Sequence, residues 1–199
     1  MLALAPLLAL AVGAPPARAA APWDGAAFAA SPADVARAAA RVEIPDKAPF
    51  DVLLEDGKVS FDAEGRLTFV YRTVLRPLTR SGVDAIGHVS RVWHPWREEP
   101  PAIRARVVHP DATVQELDPA TLSDGALRHE PEMYSDARVR RGPIPGLGVG
   151  DVLELESIQR ERTPYFEAGT VLRFVFGNTV PSRRVRFEVE APTSVPVRW

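Results

Sequence analysis

The chain's 199 residues amount to one ordinary domain, and 46% hydrophobic with 25% charged residues exclude a disordered tail, a collagen-like fibre and a multi-pass membrane protein. A formal net charge of −2 gives no overall basic field for nucleic acid. Cysteine is absent, so no disulfide, thiolate zinc site, iron–sulfur cluster or cysteine nucleophile can form within this sequence. The 20 prolines, about twice the usual share of roughly 5%, break helices and keep strands short.

Residues 2–14 (LALAPLLALAVGA) are apolar, small or Pro throughout, and the run is too short for a bilayer span of about 20 residues. With the small-x-small site Ala17-Arg18-Ala19 behind it, it reads as a secretory signal peptide over 1–19, cut near Ala19, although no Lys or Arg precedes the apolar core. The expected location is therefore exported, periplasmic or secreted, with no transmembrane anchor after cleavage. A bacterial envelope tolerates a chain without disulfides.

Residues 20–44 form a linker and a short helix. Ser31 supplies an N-cap, Pro32 the first helical position and Asp34 an acid three residues after the cap, which predicts a helix over 32–41 that stops ahead of Pro45. From Phe50 the apolar period is two. Val52 and Leu54 lead to an expected turn at 55–57, then a strand at 58–62. A second turn at 62–65, with Gly65 at its end, joins a long β-branched and aromatic run over 66–78 into a hairpin. Further runs occupy 88–93, 102–108, 113–117, 137–141, 151–162, 170–176 and 183–190, separated by turn clusters at 109–111, 123–125 and 143–150. The pattern predicts an all-β, antiparallel β-sandwich of about eight or nine strands over 45–199, preceded by one short helix. In 183–190, Val185, Phe187 and Val189 share a face toward the core, opposite Arg184, Arg186, Glu188 and Glu190. The run 170–176, apolar on nearly both faces, reads as a central strand.

Little in the sequence points to chemistry. His88, His94, His109 and His129 show no zinc-type spacing, and no GxSxG, P-loop or dinucleotide fingerprint is present. The glycine-rich stretch 145–150 leads into a strand, so no helix N-terminus is there to hold phosphate. No metal or cofactor is expected. Glu154 and Glu156 are two residues apart on one strand, about 7 Å, a separation found in glycosidase acid pairs. With Leu153 and Leu155 facing the core, the two glutamates read better as a solvated face, with Arg184 and Arg186 as cross-strand partners. Trp93 and Trp96 in the cluster 93–96 could form a stacking platform for sugar, or be two indoles anchored in the core. The basic stretch 138–141 alternates as a strand and lacks the interleaved aromatics of a nucleic-acid platform.

Read in order, 50–54 (FDVLL), 62–66 (DAEGR), 71–88 (YRTVLRPLTRSGVDAIGH), 105–111 (ARVVHPD), 133–139 (MYSDARV), 145–156 (PGLGVGDVLELE) and 180–192 (VPSRRVRFEVEAP) resemble domain of unknown function 3857. That domain stands at the N-terminus of bacterial exported transglutaminase-like proteins. The resemblance spans about residues 45–199 and implies an all-β accessory domain ahead of a papain-like core with a Cys-His-Asp triad. None of the matched positions is catalytic. Gly65, Gly87, Gly146 and Gly150 correspond to turn glycines, and Pro181 and Pro192 to strand punctuation. Ala112 departs from the family's turn, which carries Gly, and so implies either a turn without positive φ or mild strain. The triad finds no counterpart here, and the chain reaches Trp199 before such a core would begin. The expected partner is a downstream transglutaminase-like domain in the same polypeptide. Trp199, in the apolar stretch 195–199, would need a covering surface. The alternative is a free-standing envelope module that binds peptide or glycan through Trp93 and Trp96; an acid-pair hydrolase comes third.

Overall fold

The computed structural model describes residues 20–127, 135–166, 171–175 and 180–195. The expected signal peptide over 1–19, His129 and Trp199 lie outside these residues. Two helices, α1 (Pro32–Ala40) and α2 (Arg80–Ile86), accompany the strands β1 (Phe50–Phe61), β2 (Leu67–Pro77), β3 (His88–Trp93), β4 (Ala102–Val108), β5 (Val114–Glu116), β6 (Ser123–Ala126), β7 (Arg138–Pro143), β8 (Val152–Arg160) and β9 (Val185–Glu190). They make a six-stranded sheet, ordered β5-β4-β8-β2-β1-β9, and a three-stranded sheet, β3-β7-β6. No helix among the described residues is long and apolar enough to cross a membrane.

The six-stranded sheet has a core on each face. On one, Val35 and Ala39 of α1 and Trp23 of a 3-10 turn (Pro22–Asp24) pack on Leu54, Val74, Val108 and Val152. On the other, Val89 of β3 joins Ile103, Ala105, Val107, Leu153 and Leu155, so the smaller sheet shares a core with β4 and β8. Helix α1 starts where its cap requires: the Ser31 side chain accepts the Asp34 backbone N–H at 3.1 Å, with Pro32 next in line.

Several elements differ from the sequence reading, each for a local reason. The expected turn at 55–57 is the middle of β1, which runs unbroken from Phe50 to Phe61 apart from a bulge between Val52 and Leu54. Gly57 sits there because a Cβ would lie 2.8 Å from the Phe187 ring and 3.2 Å from Phe174; it admits neighbouring rings and does not bend the chain. Helix α2 was not expected. Thr79 caps it by accepting the Gly82 N–H at 3.1 Å, and Gly82 lies so close to the Pro49 carbonyl that a Cβ would be 1.9 Å away. The turn cluster at 123–125 is strand β6, paired with β7. Residues 171–175 of the expected central strand form none; Val171 and Val175 are exposed.

Pairing is antiparallel throughout except for β9, which runs parallel to β1 from Glu55↔Val185 to Ser60↔Glu190. Parallel neighbours need a crossover of a dozen residues or more, which the chain between Phe61 and Val185 far exceeds. The alternation of β9 is as expected, but as an edge strand it leaves Val185 and Val189 exposed.

Of the turn positions, Gly65, Gly146 and Gly150 have positive φ. Gly87 does not; it ends α2 at φ −72°. Pro181 precedes the short parallel bridge between Val52 and Ser182. Ala112 resolves in favour of strain, with φ +66° in the β4–β5 turn closed by its own N–H to the His109 carbonyl at 2.8 Å. The Ala112→Gly variant is expected to be more stable by about 0.5–1 kcal/mol, read as a higher urea midpoint at unchanged slope.

Candidate functional site

The face of the sheet under α1 carries charge where a core would ordinarily be apolar. Strand alternation places Arg72 and Arg76 of β2, Glu154 and Glu156 of β8, and Arg104 and Arg106 of β4 on this side, in cross-strand register Arg72↔Glu156↔Arg104 and Val74↔Glu154↔Arg106. Glu154 is fully buried. Its Oε1 accepts from Arg72 Nη2 at 2.9 Å and its Oε2 from Arg106 Nε at 2.5 Å. Glu156 takes Arg104 at 2.6 Å, and Asp51 takes Arg76 at 3.0 Å and Arg183 at 2.8 Å. The two glutamates are thus a buried paired set, not the solvated face the sequence implied, and their partners are Arg72, Arg104 and Arg106 rather than Arg184 and Arg186. Glu154, with both oxygens engaged and no exposed surface, has no side open to a substrate; Glu156 is bound through Oε1 alone.

The guanidinium groups reach past the acids to the covering segment. Arg72 donates to the Gly25 carbonyl at 2.7 Å, Arg106 to Ala30 at 2.9 Å and Arg76 to Ala39 at 2.6 Å, at the carbonyl end of α1 where cations are favoured. Arg183 donates to the Glu43 carbonyl. Glu154→Leu would strand two buried guanidinium groups without a counter-charge, and is expected to lower the unfolding free energy by about 3–5 kcal/mol, measured by urea titration followed through tryptophan fluorescence.

On the opposite face, toward β9, Glu55 is buried and accepts the Tyr71 hydroxyl at 2.9 Å and the Ser182 hydroxyl at 3.1 Å. Burial first, and then the hydrogen bond to Glu55, push the Tyr71 phenol above its ordinary value. The folded chain therefore keeps a proton that the unfolded chain releases near pH 10. Stability from this pair is complete below about pH 10 and is lost as pH rises from there toward the folded value. Wild type is expected to lose more stability than Tyr71→Phe between about pH 9.5 and 11.5, compared by urea midpoints across that range.

Trp93 and Trp96 have different surroundings. Trp93, at the end of β3, is buried and donates its indole N–H to Asp124 at 3.2 Å. Trp96 is 54% exposed and lies beside Tyr165 and Phe166, themselves 48% and 54% exposed. Ring centroids are 6.0 Å apart for Trp96–Tyr165 and 4.4 Å for Tyr165–Phe166, the latter edge-on. The Arg97 guanidinium lies 4.9 Å from the Tyr165 ring centroid and 5.9 Å from that of Trp96, a cation–π arrangement. Buried acids hold Arg97 in place: Glu161 at 2.5 Å and Glu98 at 2.6 Å. Glu98 also accepts the His94 backbone N–H at 2.7 Å, and Glu161 that of Leu67 at 2.9 Å. The Arg97 carbonyl accepts the Arg162 N–H at 2.7 Å, which ties the two aromatic segments together. The result is an exposed aromatic platform on an anchored, charge-paired base. Tyr165 and Phe166 escaped the sequence reading; the adjacent aromatics just beyond the long run over 151–162 were the available signal.

The histidines stay apart. His88 is exposed, His94 lies 3.6 Å from Glu98 and His109 is 3.0 Å from Asp151. Among the described residues, no group of three His, Asp or Glu side chains is placed to hold a metal ion.

The profile of the family described as "Domain of Unknown Function with solved-structure structure (DUF3857)" matches residues 63–199. The chain belongs to the DUF3857 family. The DUF3857 match begins in the β1–β2 turn, so α1 and β1 precede it. Among solved structures, a protein of Parabacteroides distasonis described as a putative protease is similar to the chain with a TM-score of 0.66 at 15% identity, over 74% of this chain and 30% of that one. At that identity the likeness is one of fold. Yeast LTA4 hydrolase in complex with bestatin gives a TM-score of 0.27 at 10% identity over 60% of this chain and 17% of that one, which carries no argument. No curated protein matches the chain significantly.

Proposed function

We propose that this DUF3857 chain is a non-catalytic accessory module of an exported, transglutaminase-like protein. In this reading the six- and three-stranded sheets form a β-sandwich body that packs on, or presents substrate to, a downstream Cys-His-Asp domain. The observation that carries the proposal is the platform of Trp96, Tyr165 and Phe166, apolar, exposed and set beside Arg97, which Glu98 and Glu161 anchor. Aromatic groups fixed in this way lose little entropy on docking and anchor interfaces. The Parabacteroides protein adds support, because there the same fold is matched over only 30% of a longer chain.

The chemistry agrees with a non-catalytic role. Acyl transfer of the transglutaminase type needs a thiolate activated by a histidine, and the sequence has no cysteine. The carboxylates at 154 and 156 are occupied by arginines. No cofactor and no nucleic acid enter this reading, and the apolar run over 2–14 supports export.

The spacing of Trp96 and Tyr165 also favours a second reading, an envelope module that stacks on glycan or peptide. The two readings separate in a binding experiment that uses a downstream Cys-His-Asp domain, expressed as a separate chain, and a panel of envelope glycans. For the accessory module, Trp96→Ala with Tyr165→Ala is expected to weaken association with the domain at least about tenfold while leaving the urea midpoint nearly unchanged. The purified chain should neither incorporate amine nor hydrolyse glutamine-containing peptides. Glycan binding lost in the same double variant, without domain association, would favour the second reading. Turnover abolished by Glu154→Gln/Glu156→Gln in protein that circular dichroism shows to be still folded would overturn both.

A further inference from the structure

A cleft of about 860 Å³ opens between the covering segment and the approach to β9, with Ala20, Trp23, Asp24, Arg41, Leu53 and Arg184 among its lining residues. The Asp24 side chain is 10% exposed. Its Oδ2 accepts the Ala21 backbone N–H at 2.7 Å and Arg184 Nη1 at 2.8 Å. Its Oδ1 is buried and has no hydrogen-bond partner among the described residues. A buried carboxylate oxygen left open is costly, and the group that best satisfies it is a cation with N–H donors.

Among the described residues, the cations around the cleft are already engaged, Arg41 excepted. Arg183 is held by Asp51, Arg186 by Asp56 while reaching the Asp24 carbonyl at 3.5 Å, and Arg37 by Asp34 on α1. Arg41, at the end of α1, is exposed. Ala20 is closer. Its nitrogen is one residue from the Ala21 N–H that already touches Asp24, which puts it within about 6 Å of the carboxylate.

We propose that cleavage between Ala19 and Ala20 completes this site: the new α-ammonium of Ala20 pairs with Asp24 Oδ1 and fastens the covering segment at its upstream end. This rests on the export reading above. In the cleavage, the Ala19–Ala20 C–N bond breaks as water adds hydroxyl to the Ala19 carbonyl carbon and a proton to the Ala20 nitrogen; the new carboxylic acid then gives up its proton through solvent and the amine takes one, leaving a carboxylate on the departing peptide and an ammonium on Ala20. An uncleaved Ala20 has only a neutral amide N–H, tied to the chain ahead of it. The cleaved residue has a positive charge and three donors that turn freely into the cleft. The carbonyls of Gly25, Ala30 and Ala39 that receive Arg72, Arg106 and Arg76 lie just downstream, so processing would tighten the cover over the charged face.

The test uses the processed protein recovered from the export compartment, with its first residue determined by mass spectrometry. Nα-acetylation, carried out near neutral pH in denaturant before refolding, removes the charge, because an unpaired α-amine with a pKa of about 7.7–8.0 reacts ahead of lysine side chains, whose ordinary value is about 10.4. Urea unfolding is then compared for wild type and Asp24→Asn, each free and acetylated. Acetylation is expected to raise the wild-type unfolding constant about tenfold or more, and to add little in Asp24→Asn. An effect below about twofold in wild type alone, or an equal effect in both backgrounds, overturns the pairing even if Asp24→Asn folds poorly. A first residue other than Ala20 overturns the cleavage site itself, whereas Ala20 with no coupling overturns only the ion pair.

Discussion

The architecture depends on a set of ionic groups buried between the sheet and the segment that covers it. Arg72, Arg76, Arg106 and Arg183 each bind a carboxylate on the sheet and a backbone carbonyl above it. Each guanidinium therefore serves two layers at once, which an ammonium with its single charged point would do less well. Buried ions are a poor source of net stability, because desolvation offsets most of the attraction. What they impose is geometry, since the segment over 21–43 must present its carbonyls at particular places to satisfy them. The apolar contacts of Trp23, Val35 and Ala39 provide the non-directional adhesion, and the arginines select the register in which it occurs.

The two faces of the same sheet are thus built on different physics. Under α1, the strands alternate charge with Val and Leu. Under β3, they show Ile103, Ala105, Val107, Leu153 and Leu155, a conventional apolar layer. Farther along the second face, toward β9, packing turns aromatic: Phe174 stacks on Phe187 at 4.5 Å, and Phe69 and Tyr71 lie within 6.3 Å of Phe174. The exposed platform of Trp96, Tyr165 and Phe166 differs from these in having rings that face solvent over a buried ionic base.

Period-two alternation was enough to find most strands, the β1–β2 hairpin and the mostly β character. The capped helix at Ser31 was also legible, because its signal is local. What the sequence hid was mainly non-local. Glu55-Asp56-Gly57 has the composition of a turn, and only the arrival of Tyr71, Arg186 and Phe187 from distant strands makes it strand interior. Glu154 and Glu156 look solvated until a helix more than a hundred residues earlier is laid over them. Arg on alternate positions of β4, Glu on alternate positions of β8 and Arg72 and Arg76 at the same parity on β2 were a usable sign of that burial, but reading it requires the strand order. The aromatic platform was half visible: Trp96 stood out, while its neighbours Tyr165 and Phe166 come from beyond β8.

The parallel pairing of β9 has a consequence for how the chain is made. Lys58 and Glu190 meet at 2.6 Å across 132 residues of sequence, so β1 leaves the ribosome long before its outer neighbour exists. During that interval the hairpin of β1 and β2 carries an unpaired edge, a template for unwanted strand addition. Closing it is a long-range event of the kind that slows folding. The charges Asp56 and Lys58 along that edge, later matched by Arg186 and Glu190, repel apolar strands in the meantime and recognise the correct one when it arrives.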